Sequence, residues 1–190
     1  PTATSTNLIL GIFRNGANGR LQCKGKNSSG TTILNFYPDG VGTGPDWIHL
    51  LYSWDLSTGT AQTSVNGAAP NTVVLTATND TIDLDNSYMS VTARADGAQA
   101  AIGEHGPYYF DNTYLDLSIL SNRRKFINAD NTPADLGSNG SKPTGSQPLY
   151  YIEGTASVWN AGTNKGSQPD FTVNGTFAEG DFEEPIIAGT

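Results

Sequence analysis

Apolar and β-branched residues recur along this chain in short runs: NLILGIF (7–13), RLQCKGK (20–26), TTILNFY (31–37), WIHLLYSW (47–54), TAQTSVN (60–66), NTVVLTA (71–77) and YMSVTARA (88–95). Several alternate with period two, the mark of a half-buried strand. Turn chemistry separates them: Asn15-Gly16, Asn18-Gly19, Ser29-Gly30, Pro38-Asp39-Gly40, Thr58-Gly59, Asn66-Gly67 and Asp96-Gly97. Strands spaced about ten residues apart with turns between them predict an all-β sandwich or barrel. The alternation of strands with longer helices that marks a parallel α/β sheet is missing.

One stretch breaks this rhythm. In DLSILSNRRKFINAD (116–130), Leu117, Leu120, Arg124 and Ile127 keep helical spacing and Asp116 can serve as N-cap. A short helix is expected near 117–127, with Arg123, Arg124 and Lys125 as a solvated, dipole-matched end. Residues 130–148 read as a long exposed loop, and 149–159 and 170–177 as further strands. One domain is expected over 1–178, followed by an acidic tail, 179–190.

The chain has 190 residues, of which 36% are hydrophobic and only 15% charged, so Ser, Thr, Asn, Gln and 22 Gly make its surface. That composition suits an extracellular surface or a virion. The net charge of −8 disfavours non-specific binding to nucleic acid or anionic lipid. Residues 1–30 carry Arg14, Arg20, Lys24 and Lys26 and no acid, while the residues after Lys165 carry five acids and no base. This asymmetry fits either solubility alone or complementary ends that meet. The single cysteine, Cys23, excludes an intrachain disulfide and reads as a small strand hydrophobe. No run approaches the ~18 apolar residues of a membrane helix. The chain opens on Pro and not Met, which fits a trimmed Met or a fragment. With a genuine start, the want of a signal-like segment would argue against ordinary secretion.

The block from Trp47-Ile-His49 through Asp55 and Gly59 to Val65-Asn66-Gly67 resembles the concanavalin A-like lectin/glucanase superfamily, in particular its laminin-G-like branch. The resemblance implies a jelly-roll β-sandwich. Trp47 would plug the core between two sheets, His49 would be a packed structural histidine, and Asn66-Gly67 would supply the positive φ of a primed hairpin turn. The stretch from Tyr114 to Gly175, with its Asn-Arg-Arg-Lys-Phe segment and Leu-Gly-Ser-Asn-Gly-Ser-Lys-Pro-Thr-Gly loop, is similar to a module of bacteriophage and prophage structural proteins.

Three candidate sites follow. Tyr108, Tyr109 and Tyr114, with Asp111 and Asn112, could form a platform that stacks on sugar rings. The same tyrosines equally suit a core strand. Asp80, Asp83 and Asp85 offer three carboxylates to Ca²⁺, the one candidate cofactor; the bland alternative is a polar strand edge. Glu179, Asp181 and Glu183 match the paired-carboxylate strand of the superfamily's glycosidases. Their place at the chain end, with no following strand to wall a cleft, argues against catalysis. His49, Glu104 and His105 form no metal or nucleophile motif. The expectation is a non-enzymatic phage virion structural protein, a capsid decoration or tail-fibre subunit. It would assemble with its own subunits, as a trimer for example, or with other virion proteins, and would bind glycans but neither nucleic acid nor membrane. A free lectin or adhesin on an extracellular surface is the alternative, and a glycoside hydrolase the second alternative.

Overall fold

The computed structural model describes residues 10–14, 20–41, 47–83 and 105–179. Eight antiparallel strands and two short helices make up the described regular structure, so the chain is all-β in class. The elements group into two compact units. The first holds residues up to 101 together with 114–123, and the second holds 102–113 and 124–190.

The first unit contains a four-stranded sheet in the order β1-β2-β3-β6, made of Leu10–Arg14, Leu21–Lys26, Thr32–Pro38 and Thr72–Ala77. A two-stranded sheet pairs β4 (Leu50–Asp55) with β5 (Thr60–Val65). The period-two pattern decides which side chains meet. Tyr52 and Trp54 share one face of β4 and both set their edges on the Phe36 ring of β3, at 5.7 and 6.3 Å between centroids. Cys23, Leu34, Phe36 and Ala61 are the buried centre of this packing, with Tyr52, Trp54, Leu56 and Ile82 closing around them. Burial pushes the Cys23 thiol up to about 12, which leaves it inert, as a small strand hydrophobe would be.

The β4–β5 turn runs through Leu56–Gly59. The Asp55 carboxylate accepts the Ser57 N–H and hydroxyl at 3.0 and 2.6 Å, and Gly59 takes the positive φ of 70°. Asn66 and Gly67 also have positive φ, 50° and 70°. They do not close a hairpin ladder, however. They carry the chain from β5 in one sheet to β6 in the other. β5 runs beside β6, and side chains stand in for a ladder there. The Thr63 N–H donates to the Thr72 hydroxyl at 2.7 Å, and the Thr63 hydroxyl donates to the Asn71 carbonyl at 3.2 Å.

The opposite face of β4–β5 is covered by 115–117. Ser53 and Gln62 face each other across the ladder. The Ser53 hydroxyl donates to the Leu115 carbonyl at 2.7 Å, and Gln62 accepts the Leu117 N–H at 2.7 Å while donating to Asp116 at 2.9 Å. The expected helix at 117–127 shrinks to one turn, α1 (Leu120–Arg123). Asp116 binds the Ser118 N–H, Asn122 donates to the Asp116 carbonyl, and Arg123 donates to the carbonyls of Leu117 and Ser118. Side chains thus occupy the carbonyls that a longer helix would pair with its own N–H groups. Arg123 is accordingly buried and not a solvated helix end. Arg124 also turns inward on its own unit and donates to the Asn128 carbonyl at 2.6 Å.

In the second unit, β7 (Tyr108–Phe110) pairs with β8 (Tyr150–Ile152). Loop 130–148 between α1 and β8 is exposed at its tips, but Leu136, Gly140, Pro143 and Pro148 are buried anchors. Lys142 closes it through an ion pair with Asp135 and a backbone bond to Leu136. The strand expected at 149–159 ends at Ile152. From Ala156 to Ala161 the chain is helical (α2), stopped by Gly162 at φ 68°. Residues 170–177, expected as a strand, lie against α2 without a ladder; Trp159 meets Phe177 at 5.4 Å and Asn160 clasps the Phe177 backbone at both N–H and carbonyl. The run expected as a strand at 88–95 lies outside the described residues.

Candidate functional site

The five residues of the sugar platform fall in two compact units. Tyr108, Tyr109, Asp111 and Asn112 belong to the second unit and Tyr114 to the first. Tyr109 is a packing residue: its ring meets Phe126 at 5.2 Å and Tyr151 at 6.2 Å, both edge-on. Its hydroxyl and Asp111 Oδ2 are buried without a well-formed hydrogen bond, although Asp111 and Thr144 adjoin that hydroxyl. Burial comes first among the causes that raise its pKa. Asp111 turns its other oxygen to the Asn112 N–H at 2.8 Å. Tyr108 is half-buried opposite Ile152.

Tyr114 is the exposed ring of the set, at 38%. Desolvation raises its pKa first, and the neighbouring charges of Asp116 and Asp55 raise it further. Asp55 and Asp116 each commit Oδ1 to hydrogen bonds, Asp55 to Ser57 and Asp116 to Gln62 and Ser118. Those bonds hold both carboxyls below the usual carboxylate range, so both are charged at neutral pH. An exposed aromatic face and charged carboxylates are the groups that stack on a pyranose ring and accept its hydroxyls. Asp55 is not among the sequence candidates because no local motif links it to Tyr114, whereas Asp116 lies two residues on, a spacing at which period-two alternation could have paired it with the ring.

Of the carboxylates considered for Ca²⁺, Asp80 is exposed; it accepts from the Asn27 amide at 2.8 Å and from the Thr81 N–H at 2.7 Å, which lowers its pKa. The Asp83 N–H donates to the Lys26 carbonyl at 3.0 Å, which places this segment along β2. Asp85 lies outside the described residues, among which no three His, Cys, Asp or Glu gather as a metal site. Glu179 sits at the start of α2, its Oε1 accepting the Ala156 N–H at 2.9 Å. Asp181 and Glu183 lie outside the described residues.

Trp47 is not the core plug. It precedes β4 and is 38% exposed, and the role falls to Phe36 with Tyr52 and Trp54. His49 also lies before the strand. Its N–H donates to Asn66 Oδ1, and its carbonyl accepts the Asn66 N–H, both at 2.9 Å. Its Nδ1 is buried without a partner, and desolvation lowers its pKa to about 4.

This displacement predicts an acid-sensitive window. Unfolded His49 binds a proton near pH 6.5, whereas the folded chain resists until about pH 4. Stability is therefore full above 6.5 and falls as pH drops through that window, by about 2 kcal/mol after discounting for partial exposure. The aspartates with lowered pKa act separately, below their ordinary 3.8. His105, also lowered by burial, adds to the same window. Urea midpoints measured between pH 7 and 4 should flatten in His49→Gln; an unchanged slope would refute the assignment.

Comparison with protein-family models, with curated proteins and with solved structures found no match.

Proposed function

We propose that this chain is a non-enzymatic bacteriophage virion structural protein, a capsid decoration or tail-fibre subunit. In this reading it is a jelly-roll β-sandwich of the concanavalin A-like, laminin-G-like type over residues 1–178, with a carbohydrate-binding surface. It would be assembled in the host cytoplasm and reside in the virion, in contact with its own subunits or other virion proteins. The observation that supports this reading best is the packing of two antiparallel sheets through Phe36, Tyr52 and Trp54, directly after the Trp47-Ile-His49 block that carries the resemblance. In the stretch that resembles phage modules, the loop is closed by Lys142 with Asp135 and Leu136, and residues 165–168 are bonded along β8, which suits a particle component.

The exposed Tyr114 ring, whose pKa is raised in part by the charges of Asp116 and Asp55, favours glycan binding as part of that role, and it is equally what a free lectin would need. The test is the native mass by light scattering, with and without EDTA, followed by a glycan array on wild type and Tyr114→Ala. A stable trimer or larger assembly is expected, with glycan signal lost in the variant. Dissociation by EDTA would bring Ca²⁺ into the account at Asp80, Asp83 and Asp85. A monomer that binds glycans and does not associate with particles would replace the virion reading with the lectin one.

A further inference from the structure

Three Asn-Gly pairs lie among the described residues: Asn66-Gly67, Asn139-Gly140 and Asn174-Gly175. Asn-Gly is the dipeptide in which a backbone nitrogen attacks its neighbour's side-chain amide most readily, because glycine has no Cβ to block the approach. Equal sequence would give equal rates, but the structure makes the three unequal.

Asn66 has its amide oxygen locked on the His49 N–H at 2.9 Å. Gly67 is buried, and its carbonyl accepts from Arg123 at 3.0 Å. At Asn139 the amide oxygen holds the Ser141 N–H in a tight turn, at 3.2 Å. The attacking nitrogen there is also occupied, since the Gly140 N–H donates to the Gly137 carbonyl at 3.1 Å. Gly140 is packed so closely that an added Cβ would sit 2.9 Å from Pro148 and Tyr151.

Asn174-Gly175 differs on every count. Both residues are exposed. No hydrogen bond engages the Asn174 amide or the Gly175 N–H. Gly175 has φ 100° and open space around it. The pair is the slack middle of a span anchored on both sides, by the Phe171 N–H on the Gly162 carbonyl at 2.8 Å and by the Asn160 clasp on Phe177.

We propose that Asn174 is the chain's structurally selected deamidation site among these three. The Gly175 nitrogen, deprotonated by hydroxide, attacks Cγ of Asn174. The new C–N bond closes a succinimide, and the side-chain nitrogen leaves as ammonia. Water then opens the ring at either carbonyl, giving aspartate or isoaspartate. Each event adds one negative charge to the acidic end of the chain. The anchors at Phe171 and Phe177 stay in place, so the fold is retained.

The intact chain is incubated at mildly alkaline pH, digested at intervals and mapped by mass spectrometry. The Asn174 fragment is expected to gain about 1 Da, split into aspartate and isoaspartate forms. It should do so at least about tenfold faster than the Asn66 and Asn139 fragments, which react only through local opening. In urea the three should converge, since sequence alone then sets the rate. Equal rates in the folded chain, or a ranking that persists in urea, would overturn the assignment.

Discussion

Replacing Arg123 with Met is expected to destabilise the first unit by about 4 kcal/mol, as a loss of three charge-assisted hydrogen bonds and the stranding of their acceptors. The guanidinium is buried, and each bond described for it goes to a backbone carbonyl: Gly67 at 3.0 Å, Ser118 at 3.0 Å, and Leu117. Burying a cation without a carboxylate is costly. It is tolerated here because the planar fork reaches two chain segments at once, the Gly67 carbonyl and the two carbonyls of Leu117 and Ser118 just before α1. Arg123 therefore ties the 114–123 segment to the crossing between the two sheets. Met fills a similar length but donates nothing. Lys carries the charge but lacks the fork, so Arg123→Lys should recover only about half of the loss. The buried Cys23 thiol reports on this unit directly. Its labelling during a urea titration should show a lower midpoint with an unchanged slope in both variants, and the order Met worse than Lys. A loss below about 1 kcal/mol in Arg123→Met would mean that the side chain is solvated in solution.

That arginine also shows where sequence patterning stops. The strands from Leu21 to Ala77 were readable because alternation, β-branching and turn glycines agree at each of them. The helical spacing at 117–127 was equally regular, yet side chains capture the carbonyls of Asp116, Leu117 and Ser118, and the helix does not begin until Leu120. The reverse happened at Thr155–Gly162. Val158 and Trp159 have strand propensity and extend the run that begins at Leu149, but Thr155 in N-cap position and Gly162 in the left-handed conformation delimit a helix. Those signals were present and lost to the hydrophobic pattern. The laminin-G-like resemblance implies a core position for Trp47; it falls before the strand's first ladder pair, Leu50 with Val65, and so outside the alternation that would have buried it. The candidate site was legible only in Tyr114. Asp55 stands at the β4–β5 turn, and no spacing rule brings it into the field of Tyr114; Asp116, two residues on and held by Gln62, was within reach of the period-two rule.

A second large effect is expected in the other unit, at Asn164. Its amide oxygen accepts the N–H groups of Tyr151 and Gly166 at 2.8 and 2.9 Å, and its amide nitrogen donates to the carbonyls of Leu149 and Gln168 at 3.1 and 2.6 Å. This uses the side chain's donors and acceptors on both sides and fixes which way the amide points. Residues 165–168 then run beside 148–151, with the Lys165, Ser167 and Gln168 N–H groups bonding Tyr151, Pro148 and Leu149. Asn164 thus holds an ordered flank on β8, whose Tyr151 is fully buried. Asn164→Leu keeps the approximate volume and strands the Tyr151 and Gly166 N–H groups and the Gln168 carbonyl, while the Leu149 carbonyl keeps the Gln168 N–H, at a cost of about 3 kcal/mol. Asn164→Asp is the more informative change. It keeps both accepted bonds but sets a carboxylate oxygen against two carbonyls, which raises the new group's folded pKa above its unfolded value. Such a group favours the folded state most when protonated, so the Asp variant should lose about 2 kcal/mol near neutral pH and recover part of it as pH falls toward 4. The wild-type chain does the opposite over that range because of His49. Hydrogen exchange at the Tyr151 and Lys165 N–H groups, expressed as protection relative to the intrinsic rate at each pH, separates the two: protection lost at pH 7 and regained on acidification marks the carboxylate clash. A variant indistinguishable from wild type at both pH values would show that the four bonds are not formed.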